Sequence, residues 1–198
     1  MSVLRSLGEA EHGLAQAVAA GSLLPDERLR PSTLQSQDFG MLERELSIAL
    51  PIPERELLLK FDFNGLSVGL VTFGQTARDY VAYLIGWNSE KEAASVGNAW
   101  WWPGDRPPSK ILIATAESWA VLLDTTTRQI LAFLNGTPHS AAEVVAMDLE
   151  HFLRGVATVR LDCADSCSAD RCRAIACEAG AAPGGVQFWR ELVQQQQS

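Results

Sequence analysis

The sequence predicts an α+β fold, a single domain built on an antiparallel β-meander flanked by helices. Three observations lead there. The apolar runs KILIATA, SWAVLLD and QILAFLN follow one another with only short connections. Such links force antiparallel neighbours, because a parallel return needs a crossover of about a dozen residues. Segments with apolar residues at helical spacing lie on both sides of the runs. The third observation is size: 198 residues, 47% hydrophobic and 20% charged, make one domain. A chain of this length buries roughly 70% of its unfolded surface, so neither metal nor disulfide is required as a staple.

The organisation expected from this is an N-terminal helix and connector over residues 1–37 and an α+β unit over residues 38–160. A cysteine-rich segment with a C-terminal helix, residues 161–198, is expected to pack as an accessory of the same domain. Val3, Leu4, Leu7, Leu14 and Val18 suggest the first helix, and the Pro- and Ser-rich stretch from Leu24 to Gln37 is a connector. Asp38 is positioned to cap a helix with Met41, Leu42, Leu46 and Leu50 on one face, ending at Pro51. Pro53 suits the first turn of a second helix, ERELLLKFDF, which stops at Asn64-Gly65.

SVGLVTFG alternates apolar and small residues and reads as a strand. TARDYVAYLIGW reads as a helix through Ala77, Tyr80, Val81, Leu84 and Trp87. NAWWWPGDRPP is a loop by its Pro and Gly content, and the meander follows it. Ser140 and Glu143 form an S-x-x-E capping box ahead of VVAMDLEHFLRG, whose stripe of Val144, Val145, Leu149 and Phe152 predicts a helix ending at Gly155. ATVRLD is then expected to be a short strand and VQFWRELV a terminal helix.

Gly65, Ser67 and Gly69 carry the G-x-S-x-G spacing of a hydrolase nucleophile elbow. An elbow runs strand, turn, helix, whereas here the predicted order is helix, turn, strand. His12, His139 and His151 offer no obvious partner for the serine, and the glycines are explained by the turn. No paired-carboxylate signature, phosphate loop, dinucleotide fingerprint or histidine-rich metal site occurs, and no catalysis is expected.

Cys163, Cys167, Cys172 and Cys177 crowd into CADSCSADRCRAIAC, with no cysteine elsewhere. Clustered thiolates suit tetrahedral zinc, but the spacing lacks the paired C-x₂-C knuckles of ribbons and fingers. Free or redox-active thiols, a zinc site and two disulfides all stay open; no other cofactor is implied. Trp100, Trp101 and Trp102 cannot all point to one side of an extended backbone, so an exposed partner-binding anchor competes with a bulky plug at the edge of the core. Asp105, Glu117 and Asp124 fall in the neighbouring loops and turns and complete a candidate partner-binding surface.

Sixteen basic against 24 acidic residues give a net charge of −8, which repels a phosphate backbone and favours basic protein partners. Direct nucleic-acid binding is therefore not expected. Glu9, Glu11 and His12 interrupt the apolar start, and no run reaches the roughly 18 apolar residues of a membrane span. The chain reads as cytoplasmic.

The order of elements resembles the SUKH superfamily, the fold shared by bacterial toxin-immunity proteins and fungal cell-wall synthesis regulators. LERELSIALPIPERELLLKFDFNG is similar to its helix, Leu-Pro corner at Leu50-Pro51, second helix and Asn-Gly end. KILIATAESWAVLLDTTTRQILAFLNG resembles its strand, turn, strand ending in Asp, polar turn and strand, and AAEVVAMDLEHFLRG its closing helix. The resemblance spans residues 38–155. Ala116-Glu117-Ser118-Trp119-Ala120 stands where many members have a Gly-rich, Asp-containing turn, and Leu66 replaces a frequent second glycine. The resemblance implies a non-catalytic binding protein that neutralises a cognate toxin, often a nuclease or deaminase, by covering its active site. A regulatory or scaffold protein of the same fold, controlled through its cysteines, is the alternative.

Overall fold

A six-stranded antiparallel sheet carries the chain's longest apolar runs, and its strands follow each other in sequence order. The structure, a computed structural model, describes residues 2–74, 79–89, 101, 105–164 and 166–196. Helix α1 (Leu7–Ala19) leads through a short 3₁₀ turn (Pro25–Glu27) to β1 (Arg30–Pro31). Then come α2 (Ser36–Leu46), α3 (Ile52–Lys60) and β2 (Phe61–Asp62), which pairs with β1 as a separate ribbon. The sheet begins with the hairpin β3 (Leu66–Val68) and β4 (Val71–Phe73). After α4 (Tyr80–Asn88) it continues with β5 (Lys110–Ala116), β6 (Trp119–Asp124), β7 (Ile130–Leu134) and β8 (Glu143–Ala146). Helices α5 (Leu149–Asp162), α6 (Ala169–Ala179) and α7 (Val186–Gln196) close the chain.

The meander and α4 are therefore as the sequence predicts, and several boundaries differ for local reasons. Gln35, not Asp38, precedes α2; Asp38 sits in its first turn and accepts from the Gln35 backbone N–H at 2.8 Å. Helix α2 ends at Leu46, where Ser47 turns left-handed with φ 52°. Phe61 and Asp62 leave the helix register to pair with Pro31 and Arg30, so Asn64-Gly65 forms a turn rather than a helix cap. SVGLVTFG is not one strand, because Gly69, at φ 58°, lets the chain reverse between Val68 and Val71.

The largest difference follows β7. Val144 and Val145 belong to β8, and the cap of α5 is Asp148, whose carboxylate accepts from the His151 N–H at 2.8 Å. Helix α5 runs through Gly155 and through ATVRLD, read above as a strand. Gly155 is no stop signal: a Cβ there would lie 2.4 Å from Trp189 Cη2, so the glycine lets α7 press against α5. Phe152, Val156, Val159 and Cys163 continue one buried stripe.

Both faces of the sheet are covered. One face carries Ile111, Ile113, Val121, Leu123, Ile130 and Ala132 into the main core with Phe39, Leu58, Phe152, Ile175, Phe188 and Trp189. The other carries Leu112, Ala120, Leu122, Leu131 and Phe133 against Trp101. Double coverage explains why these strands read as continuous apolar runs rather than alternating ones. Residues 161–198 are more than an accessory, since α6 and α7 supply Ile175, Ala179, Phe188, Trp189 and Leu192 to the main core.

Candidate functional site

Trp101 is fully buried, which removes it as an exposed anchor and makes it the plug of the second sheet face. Trp100 and Trp102 lie outside the described residues. The position of Trp101 depends on Asn88, the last residue of α4. Strand β4 pairs with β5 at Ala116 and Thr115, and among the described residues no strand pairs with the rest of that edge of β5. Helix α4 takes the missing place. Asn88 Oδ1 accepts from the Leu112 N–H at 2.7 Å, and its Nδ2 donates to Leu112 O and Leu84 O, both at 2.9 Å. Trp101 Nε1 donates to the same Oδ1 at 3.2 Å. Tyr80 hydroxyl donates to Ile113 O at the bulge in β5, and burial pushes its pKa well up.

Of the three predicted carboxylates, Glu117 and Asp124 lie apart. Asp105 is exposed, with Oδ2 3.4 Å from His139 Nδ1. Glu117 is exposed at the tip of the β5–β6 hairpin with φ 46°. Asp124 lies at the opposite end of β6, about 17 Å away at the rise of an extended strand. It shapes the next turn, accepting from the Thr126 and Thr127 N–H groups at 2.9 and 3.3 Å. Glu117 and Asp124 therefore mark opposite ends of β6.

Ser67 lies inside the β3–β4 hairpin, its Oγ 3.3 Å from Thr72 Oγ1, with strand on both sides. The arrangement lacks the strand-to-helix turn of an elbow.

The cysteines divide three to one. Cys163 is buried at the C-cap of α5, and its thiol donates to Cys167 Sγ at 2.7 Å. Cys172 is buried on α6, whereas Cys177 on the same helix is exposed. Burial first, then Cys167, pushes the Cys163 thiol up to about 12, and burial also raises Cys172. Among the described residues no group of three or more His, Cys, Asp or Glu is arranged to hold a metal ion. Cys177 is exposed, whereas Cys163 and Cys172 are buried and Cys167 is half-buried.

Two buried carboxylates went unnoticed in the sequence. Glu27 joins the 3₁₀ turn to α5, accepting from Arg160 Nε at 2.5 Å and Nη2 at 2.9 Å. It also accepts from the Gly69 and Leu24 N–H groups at 3.1 and 3.2 Å. Glu54 joins α3 to the β6–β7 turn through Arg128 Nε, 3.1 and 3.2 Å from its two oxygens. Arg128, at φ 68°, also reaches Asp148 Oδ2 at 3.6 Å, and Asp148 Oδ1 is 2.7 Å from His151 Nδ1. Only long-range packing brings these partners together, so no sequence spacing could have announced them.

No family model matches the chain, and no curated protein matches it either. Among the described residues no helix is long and apolar enough to cross a membrane.

Proposed function

We propose that this chain is a non-catalytic, immunity-type binding protein that neutralises a basic protein toxin, nuclease- or deaminase-like in chemistry, by covering its active site. One observation carries the reading. The acidic side chains buried among the described residues, Glu27 and Glu54, each face an arginine, so the interior pairs are neutral. The acidic excess among the described residues therefore lies outside these buried pairs, in a chain of net charge −8. A field of that sign attracts a cationic cleft and raises the encounter rate with it. The resemblance of the helix–corner–helix segment and of the meander, residues 42–65 and 110–136, supports the same role, which calls for a cytoplasmic protein present where the toxin is made.

The exposed acids available for steering include Asp105 and Glu117. Glu45 and Glu56 stand one turn from exposed Met41 and Ile52 on α2 and α3, Ile52 being 71% exposed. Apolar contact beside negative charge suits a basic enzyme surface better than a neutral one.

The test is a tagged pull-down from the native host under reducing conditions, repeated at high salt, followed by assay of the captured enzyme. The expected result is one basic enzyme at equal stoichiometry, released by salt and inhibited when the protein is added back. Glu45→Lys with Glu56→Lys should slow its association about tenfold. Capture of several housekeeping proteins, or of an enzyme whose activity is unchanged, would refute neutralisation. The contact between Cys163 and Cys167 favours a second reading, a regulatory or scaffold protein under thiol control.

A further inference from the structure

The thiol cluster lies where α5 gives way to α6, and its members differ in access. Cys163 is fully buried, while Cys167 is half-buried on the connector just before Ser168, the N-cap of α6. Their sulfurs are 2.7 Å apart. Cys163 is the C-cap residue of α5 and Cys167 precedes the N-cap of α6, so neither thiol is held inside a helix. Cys172 is held within α6 and Cys177 faces solvent.

We infer that Cys163 and Cys167 form a reversible intramolecular disulfide, Cys167 meeting the oxidant and Cys163 resolving the adduct. The oxidant class is a small-molecule disulfide, such as oxidised glutathione. Cys167 thiolate attacks one of its sulfurs; the S–S bond of the oxidant breaks, a mixed disulfide forms on Cys167, and one thiolate leaves. Cys163 then gives up its proton and attacks Cys167 Sγ, displacing the second thiolate. The protein loses two hydrogens, and the oxidant takes up the two electrons as two thiols.

The order of events follows from the surroundings. Burial and the adjacent Cys167 keep Cys163 protonated at neutral pH, so it does not compete for the external oxidant. Capping Cys167 removes the neighbouring thiol's share of that effect. Arg171, which pairs with Asp162 at 3.1 Å, favours the Cys163 thiolate when it forms. In a reducing compartment such a bond is transient, as a regulatory thiol pair requires.

Peptide mapping of the full chain tests this. Arg160 and Arg171 flank the pair, so trypsin releases residues 161–171 with Cys163 and Cys167 as their only cysteines. After oxidised glutathione treatment and alkylation, that peptide should be two hydrogens lighter and unalkylated, and dithiothreitol should restore it. Cys163→Ser should accumulate a glutathione adduct on Cys167. A bridge from residues 161–171 to Cys172 or Cys177, or full alkylation of Cys163 and Cys167 after oxidant excess, would overturn the proposal. The mapping uses no partner protein, so its failure and the failure of the neutralisation reading are separate results.

Discussion

Glu27 and Glu54 are both buried carboxylates facing an arginine, yet their surroundings push them in opposite directions. Burial raises Glu27, but Arg160 and the Gly69 and Leu24 amides outweigh it and hold the carboxyl below its usual range. Burial also raises Glu54, and there it prevails, because Arg128 presents one nitrogen to both oxygens and is shared with Asp148. The difference teaches that a partner alone does not make a buried acid a fastener. What matters is how many donors replace the water it has lost.

The largest expected effect comes from Glu27→Gln. It leaves the Arg160 guanidinium, mostly buried, without its counter-charge, and should cost about 3–5 kcal/mol in urea unfolding. A loss below 1 kcal/mol would mean that Glu27 is no more a fastener than Glu54.

Acid should dissolve the difference next. A carboxyl held below its unfolded value contributes stability above that value and loses it as pH falls through the folded one. The gap in urea midpoint between wild type and Glu27→Gln should therefore shrink as pH drops below about 4.5. Glu54 has the opposite sign: its raised folded value favours the native state at low pH, a contribution lost as pH rises through that value. A pH-independent gap would assign the Glu27 effect to packing rather than charge.

Glu54→Gln should be the smallest change, within ~1 kcal/mol of wild type, since the amide removes a charge that burial already disfavours. Arg128 keeps Asp148 as a partner. Equal losses in Glu54→Gln and Glu27→Gln would break the comparison outright.

The legible parts of this fold were those decided locally. The connections around Glu117 and at residues 125–128 are too short for anything but antiparallel strands, and the meander is as read. Asp79 caps α4 within its own segment, accepting from the Ala82 N–H at 2.8 Å. The misread parts were decided at a distance. Gly155 looks like a stop until Trp189 is laid across it, and Val144-Val145 fit a helical stripe until Leu131 offers a strand to pair with. Asp148, four residues before Phe152, was the cap that the Ser140 pattern obscured. At the candidate site, three adjacent indoles were anomalous in sequence, but the contacts that hold Trp101 inward, with the Asn88 amide 13 residues away and the second sheet face, are distant in sequence.

The C-terminal segment also closes a place where a second copy could add itself. β8 is the last strand of the sheet, and its outer groups are taken by the chain's own end. Ala182 N–H donates to Val144 O at 2.9 Å, Met147 N–H to Ala179 O at 2.8 Å, and Trp189 Nε1 to Val145 O at 2.9 Å. An open edge of Val-Val-Ala would template fibre growth. With these groups occupied, β8 does not offer its carbonyls to a strand of a second copy.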